Sequence, residues 1–405
     1  MQLLGILAFV VALLFSVMVH EFGHFITAKH YGMKVSEFFL GFGTKIWSTV
    51  RGETEFGIKA IPAGGYCRIE GMTPSEGLEG DERDFYRASG PRKLVVLGAG
   101  SFLHFVLGFV LLLILFMGVG TNQLTSTIGE VSKCIPPDAG PKACSSTSLP
   151  SPAKLAGLKA GDRIVSINGK RITDWSKDVE IIRNSAGKPL IFGIDRSGQK
   201  LKDTNSGTSD FEIIITPTAR IIDGKTVSFI GVVNTYATVR SDPVLAVKQS
   251  AITTGSLISS SVKSLISLPS KIPALWSQTF GDKPRDAKGL VGVVGVARLS
   301  GEAAGSAKLS SSERFAVFIS IIAQLNIFVG IFNLLPILPL DGGHMAVAIA
   351  DEIRAFFARL RGRRRPAAID VAVLTPITMI VFVLLAGLTL LLLVADVINP
   401  VNFNL

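Results

Sequence analysis

Four stretches of the chain stay apolar long enough to cross a bilayer: about residues 3–28, 94–119, 315–335 and 371–394. A hydrocarbon core of about 30 Å takes roughly 20 helical residues. The first stretch runs directly into His20 and Glu21. No Lys or Arg precedes it and no small-residue cleavage site follows, so a retained span is expected rather than a signal peptide. Between the second and third stretches the pattern changes. Residues 121–314 carry short alternating runs and polar, Gly-rich breaks, as a water-exposed insertion would.

Charge sharpens this pattern into a topology. The segment between the first two spans carries Lys29, Lys34, Lys45, Arg51, Lys59, Arg68, Arg83, Arg87, Arg92 and Lys93. The segment before the fourth span carries Arg354, Arg359, Arg361, Arg363, Arg364 and Arg365. The positive-inside rule makes both cytoplasmic. Residues 399–405 hold no Lys or Arg, as an outside tail should. Four spans then put both termini and the middle region outside the cell. Of the 405 residues, 48% are hydrophobic and 18% charged, which argues against an ordinary soluble protein. The net charge of +10 is accounted for by span flanks. No nucleic-acid motif accompanies it, so the bilayer, not nucleic acid, is the expected partner.

Within the insertion, residues 127–131, 161–170, 190–195 and 211–216 read as strands, and Asn168-Gly169 is a hairpin signal. Ser151-Pro152 opens a helical turn that ends at Gly157, and residues 178–184 read as a helix. Residues 197–210 read as a polar loop. The run SPAKLAGLKAGDRIVSINGKRITDW resembles the core of a bacterial PDZ domain, with the likeness covering about residues 123–219. It lacks a clean Gly-Leu-Gly-Phe-like carboxylate loop, so a steric filter and peptide capture by strand addition stand equally open. Residues 242–280 have helical apolar spacing broken by Pro269 and Pro273; they are expected as helices on the outer membrane surface or against the inserted domain. Residues 289–297 are too short and Gly-rich for a span and read as a loop or strand.

His20 and His24 are four apart on an expected helix, so both imidazoles point the same way and can share one metal. Glu21 lies between them in sequence, the arrangement of zinc metalloproteases: two His ligands and a Glu general base. Ionisable groups inside a span are costly and usually functional. A catalytic zinc needs a third protein ligand. Asp341 is the outstanding candidate, at the end of the apolar third span and followed by Gly342-Gly343. Pro336 and Pro339 interrupt helical hydrogen bonding before it, and irregular backbone at membrane depth is tolerated where it lines a wet cavity. His104 reads as a helix-packing histidine, and His344 as a neighbour of the site without a committed role.

Together, His20-Glu21-Phe22-Gly23-His24 and the run from Asn333 to Gly343, with the four spans and the PDZ insertion, closely resemble the site-2 protease family of intramembrane metalloproteases. The likeness is to the regulator-of-sigma-E branch, in a single-PDZ, actinobacterial-type form. It implies a polytopic α-helical membrane protein with four transmembrane helices, a cytoplasmic membrane-associated β-hairpin region and an inserted extracytoplasmic PDZ (α+β) domain. The corresponding divisions are residues 1–119, 121–220, 221–313 and 314–405. It implies zinc (Zn2+) held by His20, His24 and Asp341, with Glu21 activating water and Asn333 holding the substrate backbone. It further implies a re-entrant β-loop around Gly41 and Gly43 and a sheet from residues 55–66 that meets unwound substrate. Implied substrates are single-pass membrane proteins, either anti-sigma factors trimmed by an upstream site-1-type protease or remnant signal peptides. The implied location is the bacterial plasma (inner) membrane, with the active site toward the cytoplasm.

The topology also sorts the cysteines. Cys67 falls in the reducing compartment and is expected as a free thiol. Cys134 and Cys144 fall outside, where a disulfide between them is expected. Two rival readings remain: a membrane zinc protease with a downstream Glu as third ligand, and a silent scaffold working through its PDZ domain. The Asp341 motif and the intact Glu21 argue against them respectively; bound zinc and the loss of cleavage in Glu21→Gln separate all three.

Overall fold

The computed structural model describes residues 1–75, 81–135, 144, 148–172, 174–196, 211–222, 225–281, 284–286 and 289–401. The chain divides into two units. One comprises Met1–Gly120 and Arg240–Leu405; the other, Thr121–Val239, is inserted between them in sequence.

In the first unit, α1 (Gln2–His30) leads into β1 (Val35–Arg51) and β2 (Thr54–Ile69). These two long strands bend back on themselves. Residues 35–40 of β1 pair with residues 65–69 of β2 on one side and with 55–58 on the other. The segment 47–51 closes the far side against 54–58. The result is a small antiparallel sheet with the Cys67 segment at one edge. Helix α2 (Gly90–Leu113) follows, extended to Val119 by a π-helical turn.

The inserted unit contains β3 (Thr121–Val131), α3 (Pro152–Leu155), β4 (Arg163–Ile167), β5 (Lys170–Arg171), α4 (Trp175–Arg183), β6 (Leu190–Asp195), β7 (Phe211–Ile215), β8 (Thr218–Ile222), β9 (Lys225–Phe229) and β10 (Val232–Val239). Its main sheet runs β10-β3-β4-β6-β7, with β5 added to β4, and β8-β9 form a separate hairpin. All these pairings are antiparallel. Asn168 and Gly169 both take positive φ in the β4–β5 turn, the conformation that a tight hairpin demands. Ser151 caps α3 through the Lys154 N–H. Ile128, Ile164, Ile167, Phe192, Ile194 and Trp175 form the core. A disulfide joins Cys134 to Cys144. The expected loop at 197–210 lies outside the described residues.

Returning to the first unit, the chain forms α5 (Pro243–Ile266), α6 (Leu268–Phe280), α7 (Val293–Gly305), α8 (Ser311–Asn333), α9 (Asp341–Leu360) and α10 (Thr375–Ile398). Among the described residues, four helical stretches are long and apolar enough to cross a membrane: Gln2–His30, Gly90–Val119, Ser311–Asn333 and Val371–Ile398. The most apolar window of the last has 0% of its residues buried, as a lipid-facing helix requires.

Two expectations change here. Residues 289–292 are irregular as expected, but residues 293–297 are helical, because α7 begins at Val293. Its glycines serve close helix packing, since a Cβ on Gly301 would lie 2.9 Å from the Gln2 carbonyl and one on Gly5 would lie 2.6 Å from Ala304. Small residues let helices in lipid approach this way, and that packing overrides the low helix propensity of glycine. Helix α5 packs its Leu257 and Ile258 against Leu112, Leu115, Ile319 and Ala323 of α2 and α8. Asp341 does not end the third span: it opens α9, eight residues beyond Asn333 at the end of α8. At the far end of α10, Asp396 is buried and paired with Arg285, and it accepts the Gly295 N–H at 2.8 Å.

In the inserted unit, Asp162 is buried and accepts from Arg196 Nη2 at 2.6 Å and from the Lys159 N–H at 2.8 Å. Burial pushes its carboxyl up, but the Arg196 guanidinium and the Lys159 N–H outweigh burial and hold it below the usual range. A depressed folded pKa means that the unfolded chain binds the proton more readily. The stabilisation is therefore complete above the unfolded value of about 4 and is lost as pH falls through the folded value. Amide-exchange protection in β4 and β6 of the full chain should fall as pH drops below about 4. Asp162→Asn should flatten that dependence and cost about 2 kcal/mol at neutral pH; protection indifferent to both changes would refute the role.

Candidate active site

The site is assembled where α1, α2, the β2 edge and the start of α9 meet. His20 and His24 are one turn apart on α1 and both are buried. Their Nε2 atoms stand 3.1 Å apart. Asp341 Oδ2 lies 3.2 Å from His20 Nε2 and 3.4 Å from His24 Nε2. Among the described residues this trio is the group whose ligand atoms converge within 4.8 Å.

The orientation of His24 is held from behind. Its Nδ1–H donates to the Val96 carbonyl of α2 at 2.8 Å, which leaves the Nε2 lone pair facing the other two donors. Asp341 Oδ2 is buried without a directed hydrogen bond. Two imidazole nitrogens and an orphaned carboxylate oxygen pointed at one another call for a cation between them. Zinc suits this donor set. A tetrahedral zinc with ligands at about 2.0–2.1 Å would separate them by about 3.3 Å, which matches the three observed separations.

Glycines make the convergence possible. A Cβ on Gly100 of α2 would sit 2.5 Å from both His20 Cε1 and His24 Nε2. A Cβ on Gly23 would lie 2.7 Å from the Ala99 carbonyl. Side chains at Gly342 and Gly343 would strike the Leu334–Leu338 backbone, with closest approaches of 2.3 Å and 2.5 Å. The loop that presents Asp341 can therefore fold tightly only with glycine at both positions.

Glu21 shares a cavity of about 600 Å3 with both histidines and Asp341. Its carboxylate faces the Cys67 main chain. The β2 edge and the turn after it, from Tyr66 to Met72, supply another wall of the cavity. Asn333 Nδ2 comes 3.5 Å from His20 Nε2. Cys67 also lines the cavity, but it lies outside the converging trio. Burial and then the Glu21 carboxylate push its thiol up to about 12, and a protonated thiol is a poor metal ligand.

Other expected residues fall elsewhere. Gly41 and Gly43 lie in β1 with positive φ, where the strand breaks register between Leu40 and Lys45; they are not among the residues lining the cavity. His344 is in the first turn of α9, outside the converging trio. His104 is buried with its ring 5.0 Å from that of His20. Its Nδ1 bonds Asn326 Oδ1 at 2.8 Å, and Asn326 Nδ2 donates to Ser16 Oγ at 3.0 Å. This polar link ties α2, α8 and α1 together beside the site. Sequence reasoning passed over Asn326, Ser16, Val96 and Gly100. Asn326 carried a signal, a polar amide inside an apolar span, and so did the small-residue run Gly98-Ala99-Gly100-Ser101.

The model of peptidase family M50 matches residues 8–377. The chain belongs to peptidase family M50. Among relatives, it is 34% identical over 405 residues to the zinc metalloprotease Rip1 of Mycobacterium tuberculosis, covering 98% of each chain. It is 34% identical over 416 residues to Rip1 of Mycolicibacterium smegmatis, again covering 98% of each. To the regulator of sigma-E protease RseP of Salmonella typhimurium it is 26% identical over 441 residues, covering 86% of this chain and 90% of that one. As an M50 member with four apolar helices it is an integral membrane zinc metalloprotease of the site-2 type.

The glycine contacts give a sharp test. Gly100→Ala should strip zinc from the purified M50 protein by at least about tenfold in affinity. Gly98→Ala, whose Cβ would meet only Met345 at 3.8 Å, should leave zinc content unchanged. Equal zinc in both variants by elemental mass spectrometry would refute the packing argument.

Proposed function

We propose that His20, His24 and Asp341 hold the catalytic zinc and that Glu21 is the general base of peptide hydrolysis inside the membrane. The observation that carries this reading is the convergence of three ligand atoms beside the Glu21 carboxylate in one cavity. When bound, zinc supplies the Lewis acidity that polarises a scissile carbonyl and eases deprotonation of water. Glu21 takes the proton from the attacking water and returns it to the leaving amine. Asn333, beside His20, holds the substrate backbone near the reacting carbonyl. The residues 66–69 segment of β2 has no strand on its outer side among the described residues. An extended substrate can add to that edge by main-chain hydrogen bonds. A helix hides its carbonyls, so the substrate must unwind before it is cut.

The substrates are single-pass membrane proteins: anti-sigma factors already trimmed by a site-1-type protease, or remnant signal peptides. The relative from Salmonella typhimurium is named for regulating sigma-E, which favours the first class. The Lys- and Arg-rich segments next to α1, α2 and α9 put the β1–β2 side in the cytoplasm. Cleavage then occurs toward the cytoplasmic face of the plasma membrane and releases a cytoplasmic fragment. The inserted unit, with its antiparallel sheet and helices α3 and α4, is an extracytoplasmic PDZ domain that screens substrates by size or by peptide capture.

Glu21→Gln should lower cleavage of a reconstituted single-pass substrate at least about a hundredfold while bound zinc stays at the wild-type level. Comparative membrane proteomics of this variant should show single-pass stubs accumulating. Wild-type cleavage by Glu21→Gln would defeat the assignment.

A further inference from the structure

A second cavity, of about 320 Å3, opens where α2 begins. Its walls come from the Tyr86–Ser89 approach to α2, from α9 and from the Arg365–Ala368 segment. Lys93, in the first turn of α2, lines it although only 8% of the residue is exposed. Among the described residues, no carboxylate makes a direct ion pair with Lys93 Nζ; Asp351 and Glu352 attract it only from longer range, against the opposing charge of Arg365. The Phe85 ring centroid lies 5.9 Å away.

Arg87 and Arg365 line the same cavity, and Asp351 is its single lining carboxylate. Asp351 is already engaged: it accepts the Ile369 N–H at 3.0 Å and Arg354 Nη1 at 3.2 Å. Glu352, behind the wall, is held by Arg365 at 2.7 Å and by the Gly90 N–H at 3.1 Å. Lys93 is thus a buried cation without a directly contacting anion, in a cavity whose lining carries three cations against one carboxylate. A buried ammonium is costly unless an anion joins it.

The location says which anion. Gly90–Val119 is long and apolar enough to cross a membrane, and such a span puts its first turn at headgroup depth. There a lysine stem runs along apolar surface while its ammonium reaches the interface. Basic pockets between membrane helices at this depth suit lipid phosphates. We propose that this cavity binds the phosphate of an anionic glycerophospholipid, with Lys93 as its central ligand and Arg87 and Arg365 completing the charge. The same lipid ties together two site-bearing helices, since α2 carries Val96 and Gly100 and α9 opens with Asp341.

The test uses the full chain in nanodiscs of phosphatidylcholine, alone or mixed with phosphatidylglycerol. Bound lipid is read by native mass spectrometry and stability by Tm. Wild type should retain phosphatidylglycerol selectively and gain Tm from it. Lys93→Gln should weaken that binding about tenfold and lose the Tm gain, with no lower Tm in phosphatidylcholine alone. Lys93→Arg should keep both responses. Arg87→Gln, at an exposed position, should weaken binding by a smaller factor. Glycerol 3-phosphate at matched concentration should neither displace the lipid nor raise Tm. The proposal is overturned if wild type shows no preference for phosphatidylglycerol, or if Lys93→Gln binds it as wild type does. It is equally overturned if glycerol 3-phosphate reproduces the effect, because the site would then take a free phosphate ester.

Discussion

Three polar donors must meet inside helices that otherwise face lipid, and the surrounding architecture follows from that demand. Imidazole nitrogens and a carboxylate oxygen placed 3.1 to 3.4 Å apart are tolerable in an apolar setting only with a cation among them and with rigid support behind. The support is backbone at close range. Gly100 lets α2 press against both rings, and Gly23 lets α1 meet Ala99. Further along, a Cβ on Gly108 would lie 2.8 Å from Ile327 and one on Gly330 would lie 3.0 Å from Phe105, so α2 and α8 are equally close. The His104–Asn326–Ser16 link then joins three helices by polar contacts. A membrane offers little hydrophobic drive between helices, so small residues and buried hydrogen bonds carry the assembly.

From that core the chemistry extends in one direction. The cavity that holds Glu21 is walled by the β2 edge, a segment with main-chain groups available to an extended partner. A protease that cuts within a membrane must offer backbone hydrogen bonds to replace those that a substrate helix gives up on unwinding. In the proposed mechanism the small sheet of β1 and β2 meets that need, and Tyr66 is locked within it by Glu37 and Lys59 and stacked between Phe39 and Phe42. Family membership makes the protein a zinc metalloprotease. The convergence of His20, His24 and Asp341 beside Glu21 supplies the reading of how this chain performs that chemistry.

Much of this was legible in the residues. Length and apolarity marked four membrane-crossing stretches, because a bilayer imposes both. The spacing of His20 and His24 placed two ligands on one helical face, because the helical repeat is close to four residues. Asp341 stood out by its cost, although its helix was harder to read: it begins α9 after a tight Pro- and Gly-containing loop and does not belong to the preceding span. What escaped reading depended on tertiary contact. The significance of Gly100 lies in the two rings behind it, and that of Val96 in its carbonyl, which no side-chain pattern reports. Helix α7 was hidden because its glycines look like loop residues until α1 is packed against them. The side on which α5 docks was equally beyond periodicity, which identifies an apolar face but not the surface that covers it.

The most direct check on the central claim is X-ray absorption at the zinc edge of the purified full-length protein. The proposed ligand set predicts a first shell of nitrogen and oxygen alone at about 2.0–2.1 Å, with the outer-shell scattering of two imidazoles. A sulfur neighbour at about 2.3 Å would bring Cys67 into the coordination sphere and contradict the account, as would a shell with no imidazole signature.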